Sequence, residues 1–286
     1  MKVLVTGVKG QLGYDVVQEL LKRGHTPVGV DIEEMDITDA QSVEAVISEA
    51  APDAVVHCAA WTAVDAAEDA ENVEKVRAVN AQGTANIAKV CKALGSKMMY
   101  ISTDYVFDGQ GETPWEPDCK DYAPLSVYGQ TKLEGELAVS ELLENYFIVR
   151  IAWVFGINGK NFIKTMLKLS ETYETLRVVS DQIGTPTYTY DLARLLVDMI
   201  ETEKYGYYHA TNEGGYISWA DFAKEIFRMA GKNVNVVPVT TAEYGVSKAK
   251  RPFNSRLNKS KLVENGFEPL PTWQDALNRY LKELEK

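Results

Sequence analysis

The chain has 286 residues, 45% hydrophobic and 25% charged, the balance of a globular protein with room for one large domain or two small ones, which excludes collagen-like and disordered classes. Its formal charge of −11 argues against nucleic acid or an anionic membrane as main partner, though a local basic pocket for a small anion stays open. No apolar run approaches the ~20 residues that span a bilayer; the start reads as a buried strand, not a signal peptide. Cys58, Cys91 and Cys119 show no CxxC spacing, so a cytoplasmic setting without disulfides is expected. His25, His57 and His209 are scattered and give no metal signature.

In chain order, the first part alternates short apolar runs with longer amphipathic ones. Residues 3–6 are β-rich and end at Gly7. Residues 11–22 carry Leu12, Val16, Val17, Leu20 and Leu21 at helical spacing, and Arg23-Gly24 is the stop. A strand over 26–30 ends at Asp31, a helix covers 39–50, and a third strand covers 54–58. A long helix over 73–94 breaks at Gly95, and a fourth strand covers 98–102. Residues 125–143 run from a loop into a helix, and a fifth strand covers 147–152. Unbroken apolar strands separated by helices make a parallel sheet covered on both faces, with right-handed crossovers. The expected fold class is therefore α/β, with a doubly wound Rossmann sheet over residues 1–155. Further on, helices at 161–172, 190–201, 219–231 and 272–286 are interleaved with short strands at 177–180, 207–211 and 235–239. They suggest a smaller α/β lobe, mainly over 156–286, that completes a cleft and can return segments to the sheet.

Gly7-Val8-Lys9-Gly10-Gln11-Leu12-Gly13 lies directly between a strand and a helix. The first glycine permits a tight turn, the second lets the backbone approach a pyrophosphate, and the third lets helix and strand pack closely. The helix N-terminus then offers free N–H groups and a partial positive charge. A ligand-free glycine turn is the bland alternative; the agreement of spacing, strand, helix and a following acid favours a dinucleotide. That acid is Asp31, placed to take the adenosine ribose hydroxyls and to repel a 2′-phosphate. NAD(H) is favoured on this ground, with NADP(H) still open because Lys9 or Arg23 could lie nearby. Asp36-Ile37 is an adenine contact or, equally, Asp36 is a plain helix cap. Ala59, Ala60, Trp61 and Thr62 follow the third strand on the same carboxyl edge, where small residues leave room for the cofactor.

Tyr128 and Lys132 are spaced i, i+4, so on a helix they share a face. A phenol titrates near pH 10, and a neighbouring ammonium lowers that value, making an acid/base group usable near neutrality. YxxxK alone is also an ordinary surface contact. Here it follows Ser102-Thr103-Asp104-Tyr105 at the end of the fourth strand, the sheet edge where ligands bind. Thr103 can hydrogen-bond a substrate oxygen beside Tyr128.

With these motifs in this order the chain resembles the extended short-chain dehydrogenase/reductase family over nearly its whole length, and within it the reductases of 4-keto dTDP-sugars that form dTDP-L-rhamnose. Further carriers are Val106-Phe107-Asp108-Gly109, the run Pro124–Lys132, Arg150–Gly156, Asp181–Thr187 and Arg251–Leu257. The resemblance implies Tyr128 as proton donor, Lys132 as its partner and holder of the nicotinamide ribose, and Thr103 as the residue that tunes them. It implies Gly10, Gln11, Leu12, Asp31, Asp36, Ile37, Ala60, Trp61 and Thr62 along the cofactor, and Thr103, Asp104 and Trp153 at a dTDP-sugar. Some relatives dimerise through a metal held by glutamates; no motif here matches those ligands, so no metal is carried over and a homodimer stays open. Related dehydratases carry Asp-Glu after the strand-four threonine. Asp104-Tyr105 lacks that base, which favours net keto reduction over water elimination. An epimerase or reductase of another nucleotide sugar, or a non-catalytic subunit like the β subunit of methionine adenosyltransferase, are the alternatives.

Arg251 sits in Lys248-Ala249-Lys250-Arg251-Pro252, the most basic stretch of an acidic chain. Arginine binds diphosphate bidentately, so Arg251 is a substrate ligand or part of a solvated loop. Trp153, at the end of the fifth strand, packs on a sugar face or fills the core. Trp219, Trp273, Tyr188 and Tyr190 are expected in core or interface.

Overall fold

In the computed structural model, which describes residues 1–286, the first strand sets the architecture. β1 (Lys2–Thr6) has Val3, Leu4 and Val5 fully buried. Val3 and Val5 pack into one hydrophobic cluster and Leu4 into another, because successive strand residues face opposite sides. Only a sheet covered on both faces satisfies such a strand. The cover on one side is α1 (Gln11–Lys22) with the helix Thr189–Ile200; on the other it is α2 (Ala40–Ala50), the helical stretch 73–94 and the helix Val127–Leu142.

The sheet is parallel and six-stranded. From one edge it runs Gly206–His209, β5 (Tyr146–Ile151), β4 (Lys97–Thr103), β3 (Ala54–His57), β1, β2 (Thr26–Val30). The strand order reverses between β1 and β3, and the crevice beyond their carboxyl ends is where such sheets bind ligands.

The expected helix over 73–94 is present but not regular. Val73–Arg77 and Thr84–Leu94 are α-helical, and the wider π-type turn Ala78–Gly83 joins them. Two segments of the second part of the chain return to the sheet. The strand Gly206–His209 pairs with β5, and the helix Thr189–Ile200 packs on α1, with Arg23 bonded to Asp198 at 2.6 Å. Both are apolar enough to be buried by the sheet: Leu192, Leu195, Leu196 and Tyr208 join the Val3–Val5 cluster.

The smaller lobe has its own core, including Phe155, Ile163, Phe222, Phe227, Trp273 and Tyr280. Its helices are Phe162–Leu169, Trp219–Met229 and Trp273–Leu284, beside a parallel pair formed by Thr175–Val179 and Asn235–Val239. Trp273 and Tyr188 are core as expected, whereas Tyr190 is exposed. All three cysteines are free, and no helix is long and apolar enough to cross a membrane.

Candidate active site

The cofactor edge is built from backbone. Gly7 has φ +69°, and a Cβ there would lie 2.9 Å from the backbone of Ala59. A Cβ on Gly13 would lie 2.3 Å from the Gly7 carbonyl oxygen, so the third glycine is what lets α1 approach the turn. Gly10 caps α1 with extended backbone and no side-chain acceptor, which leaves the first-turn N–H groups of Gln11, Leu12 and Gly13 turned to the crevice. This cradle fits a dinucleotide. Thr6 Oγ1 accepts the N–H groups of Cys58 and Ala59 at 3.1 and 3.0 Å and so fixes the small-residue run after β3.

Several residues expected along the cofactor carry other bonds. Asp31 accepts the N–H of Lys9 at 3.1 Å and of Ile32 at 2.9 Å. The Lys9 ammonium turns to Glu33 at 2.7 Å, and Arg23 is engaged by Glu19 and Asp198. Gln11 Oε1 accepts from Gly156 N and Asn161 Nδ2, which ties the glycine loop to the smaller lobe. Asp36 is no helix cap: Asp39 caps α2 through Gln41 N, and Asp36 closes a turn with Thr38. Ile37 is buried against Gly83. Ala60 and Trp61 are half-buried and Thr62 exposed.

The chemical groups meet at the carboxyl end of β4. Ser126 caps the helix Val127–Leu142 by accepting from Gly129 N at 3.1 Å, which sets Tyr128 in the first turn. Thr103 accepts from Tyr105 N and donates to Asp104 at 3.0 Å; Asp104 also accepts from Ser255 of the smaller lobe. Burial holds the Asp104 carboxyl up to about 6, against the pull of Ser255 and Thr103. Burial and the neighbouring Asp104 push the Tyr128 phenol well above its ordinary range, and the Thr103 hydroxyl acts the other way.

The expected effect of Lys132 on that phenol is not seen. Lys132 shares the helix but is buried, donates from Nζ to the Ile101 carbonyl at 2.7 Å, and lies 4.1 Å over the Tyr100 ring. Burial lowers it to about 7, partly offset by Glu136. The sequence spacing gave the shared face; the carbonyl that draws the ammonium inward lies on another strand.

Trp153 occupies the left-handed region, φ +51°, costly for a bulky side chain. Its carbonyl accepts from Thr187 N, and its ring stacks at 3.7 Å on Trp219, which packs against the core of the smaller lobe. Arg251 lies at a cleft of about 440 Å³ lined also by Gln182, Thr241, Lys248 and Phe253. It forms a bidentate pair with Asp65 at 3.1 and 2.6 Å.

Three groups escaped the sequence reading. Asn80, in the wide turn, brackets Trp61 with its side chain, accepting the N–H at 2.8 Å and donating to the carbonyl at 3.2 Å. Glu136 and Arg150 form a fully buried bidentate pair at 2.8 and 2.7 Å, faced by Phe107 and Tyr207. Asp65 reaches Arg251, and Glu68 reaches the start of the Tyr128 helix. An asparagine inside an apolar helical run was the available signal for Asn80; the other pairings join distant positions and leave none.

A family model described as the RmlD substrate binding domain matches residues 1–286. The chain belongs to this family. A dTDP-4-dehydrorhamnose reductase of Streptomyces griseus is 41% identical over 280 residues, 96% of this chain and 91% of that protein. A spore coat polysaccharide biosynthesis protein of Bacillus subtilis is 39% identical over 282 residues, covering 99% and 97%. The crystal structure of dTDP-4-dehydrorhamnose reductase from Bacillus anthracis in complex with NADP matches with a TM-score of 0.94 and 41% identity, covering 99% of both chains. Like these members of the RmlD family, the chain is an NAD(P)-dependent oxidoreductase on a Rossmann sheet, and its cofactor is a nicotinamide dinucleotide.

Proposed function

We propose that the chain reduces the 4-keto group of dTDP-4-dehydro-L-rhamnose to give dTDP-L-rhamnose, with Tyr128 as proton donor. The observation that carries this is the meeting of Thr103 and Tyr128 at the carboxyl end of β4, beside a glycine cradle, in a chain similar throughout to named dTDP-4-dehydrorhamnose reductases. When bound, the reduced nicotinamide supplies the hydride. Tyr128 holds its proton at neutral pH because burial and Asp104 keep the phenol protonated, and it gives that proton to the oxygen at C4. Thr103 turns its hydroxyl from Asp104 to the same oxygen. Lys132, which burial lowers to about 7, holds the nicotinamide ribose when its ammonium turns from the Ile101 carbonyl.

Trp153 packs on the sugar and Arg251 takes the diphosphate. Residues 1–155 bind the cofactor, and 156–286 mainly bind the nucleotide sugar. NADH is the preferred reductant on our reading, since Asp31, Glu33 and Glu34 surround the single cation Lys9 where a 2′-phosphate would lie. The test follows nicotinamide absorbance with purified protein, dTDP-4-dehydro-L-rhamnose, and NADH or NADPH in parallel. Rapid oxidation, faster with NADH and lost in Tyr128→Phe, is expected. Cofactor binding without oxidation would reject this substrate, and a faster rate with NADPH would reject the role given to Asp31.

A further inference from the structure

Between β3 and the irregular helix lies a short acidic turn whose three carboxylates all point at parts of the site. Asp65 Oδ1 accepts the backbone N–H groups of Lys248 and Ala249, each at 3.0 Å, and the two Asp65 oxygens take the fork of Arg251. Asp69 accepts from the Lys248 ammonium at 2.7 Å. Glu68 reaches the other way and accepts the N–H of Val127 at 2.7 Å. That N–H is one of the orphan donors at the start of the Tyr128 helix, where negative charge is also favoured. The turn is anchored from below by fully buried Ala67 and by Asn72, which donates to the Ala66 carbonyl at 2.9 Å.

We infer that the turn 65–69 is a positioning element: Asp65 fixes Arg251, Glu68 fixes the first turn of the Tyr128 helix, and one short segment thereby sets the diphosphate ligand relative to the proton donor. This rests on the reading of Arg251 as the diphosphate ligand. An exposed ion pair alone contributes little, but Asp65 orders two backbone N–H groups as well as the guanidinium. The fork uses two of five guanidinium N–H groups, so the pair orients Arg251 without exhausting it. The two ends are also bridged by Tyr105: Arg251 faces it, and its ring stands edge-on to Tyr128 at 5.4 Å between centroids.

The experiment measures kcat and KM for dTDP-4-dehydro-L-rhamnose and for NADH in Asp65→Asn, Asp65→Ala, Arg251→Ala, the Asp65→Ala/Arg251→Ala double variant, Glu68→Ala and Glu68→Gln, with melting temperatures as a check on folding. Asp65→Asn, nearly isosteric, serves where the alanine variant does not fold. Loss of the Asp65 charge should raise KM for the sugar nucleotide about tenfold and leave kcat and the NADH KM near the parent values. The double variant should be no worse than Arg251→Ala alone. Glu68→Ala should lower kcat about fivefold with a smaller change in KM, and Glu68→Gln, which keeps a carbonyl acceptor, should restore most of it. Additive effects of Asp65 and Arg251, or equal losses in both Glu68 variants, would overturn the inference while leaving the Arg251 reading intact. An unchanged sugar-nucleotide KM in Arg251→Ala would overturn that reading and this one with it.

Discussion

The two sides of the proposed site, one for the cofactor and one for the sugar, are made of different material. On the cofactor side the shape comes from backbone: Gly7 against Ala59, Gly13 against the Gly7 carbonyl, and an uncapped helix start. On the sugar side it comes from side chains that bond across long stretches of chain, Asp104 with Ser255, Trp153 with Trp219, and Asp65 with Arg251. At Gly7 and Gly13 the cradle leaves no room for an added atom, and its shape is set by the packing of backbone on backbone. A side-chain wall tolerates reshaping but answers to charge and pH. The two sides should therefore fail in different ways.

The largest effect is expected where the sugar side does chemistry. Tyr128→Phe should lower kcat about 10²–10⁴-fold while leaving NADH affinity near the parent value, as read by steady-state turnover and by nicotinamide fluorescence titration. Turnover close to the parent would place the proton donor elsewhere. A smaller effect, but on both folding and binding, is expected from Gly13→Ala. The new Cβ would sit 2.3 Å from the Gly7 carbonyl oxygen and 3.0 Å from the Val8 Cα; α1 must then move, at about 1–3 kcal/mol for overpacking. Gly10→Ala meets only the Gly7 oxygen at 3.1 Å, so it should keep the melting temperature and lose cofactor affinity. If the two alanines melt alike, close helix packing is not what Gly13 provides.

The same contrast decides what the sequence revealed. β1, α1, β2, α2 and the glycine loop were legible because each is fixed by local pattern: buried runs of Val and Leu, helical spacing, and glycines with fixed offsets. That Thr103 and Tyr128 would come together at the end of β4 was legible from their order and spacing. The direction of the Lys132 side chain was not, since it depends on the Ile101 carbonyl of a neighbouring strand. That segments of the second part could return to the sheet was legible, but not which ones, Gly206–His209 among them, because nothing local tells a strand which sheet it will join. Asp36 was read as a possible cap three residues early, because both it and Asp39 precede a helical run and only geometry shows which one accepts from α2. The Asp65–Arg251 and Glu68–Val127 contacts had no local signature at all.

The smallest expected effect tests how far the side-chain wall answers to pH. Asp104 is buried, and its carboxyl is raised from 3.8 to about 6. A group whose folded value lies above its unfolded value binds its proton more tightly when folded. Its contribution to stability is complete below pH 3.8 and is lost as pH rises through about 6. Above that the protein carries a desolvated carboxylate held by Ser255, Thr103 and its own backbone N–H. Asp104→Asn keeps the shape and removes the titration, so its melting temperature relative to the parent should rise between about pH 4.5 and pH 7.5 by a few degrees, roughly 2–4 °C per kcal/mol for a chain of this class. The same change removes a negative neighbour of Tyr128, so the alkaline limb of kcat/KM should move to lower pH. Gly13→Ala, which touches only backbone, should show a melting difference that is flat across the same range. A flat difference in Asp104→Asn as well would mean that the carboxyl is solvated when folded, and the contrast between the two walls would then rest on packing alone.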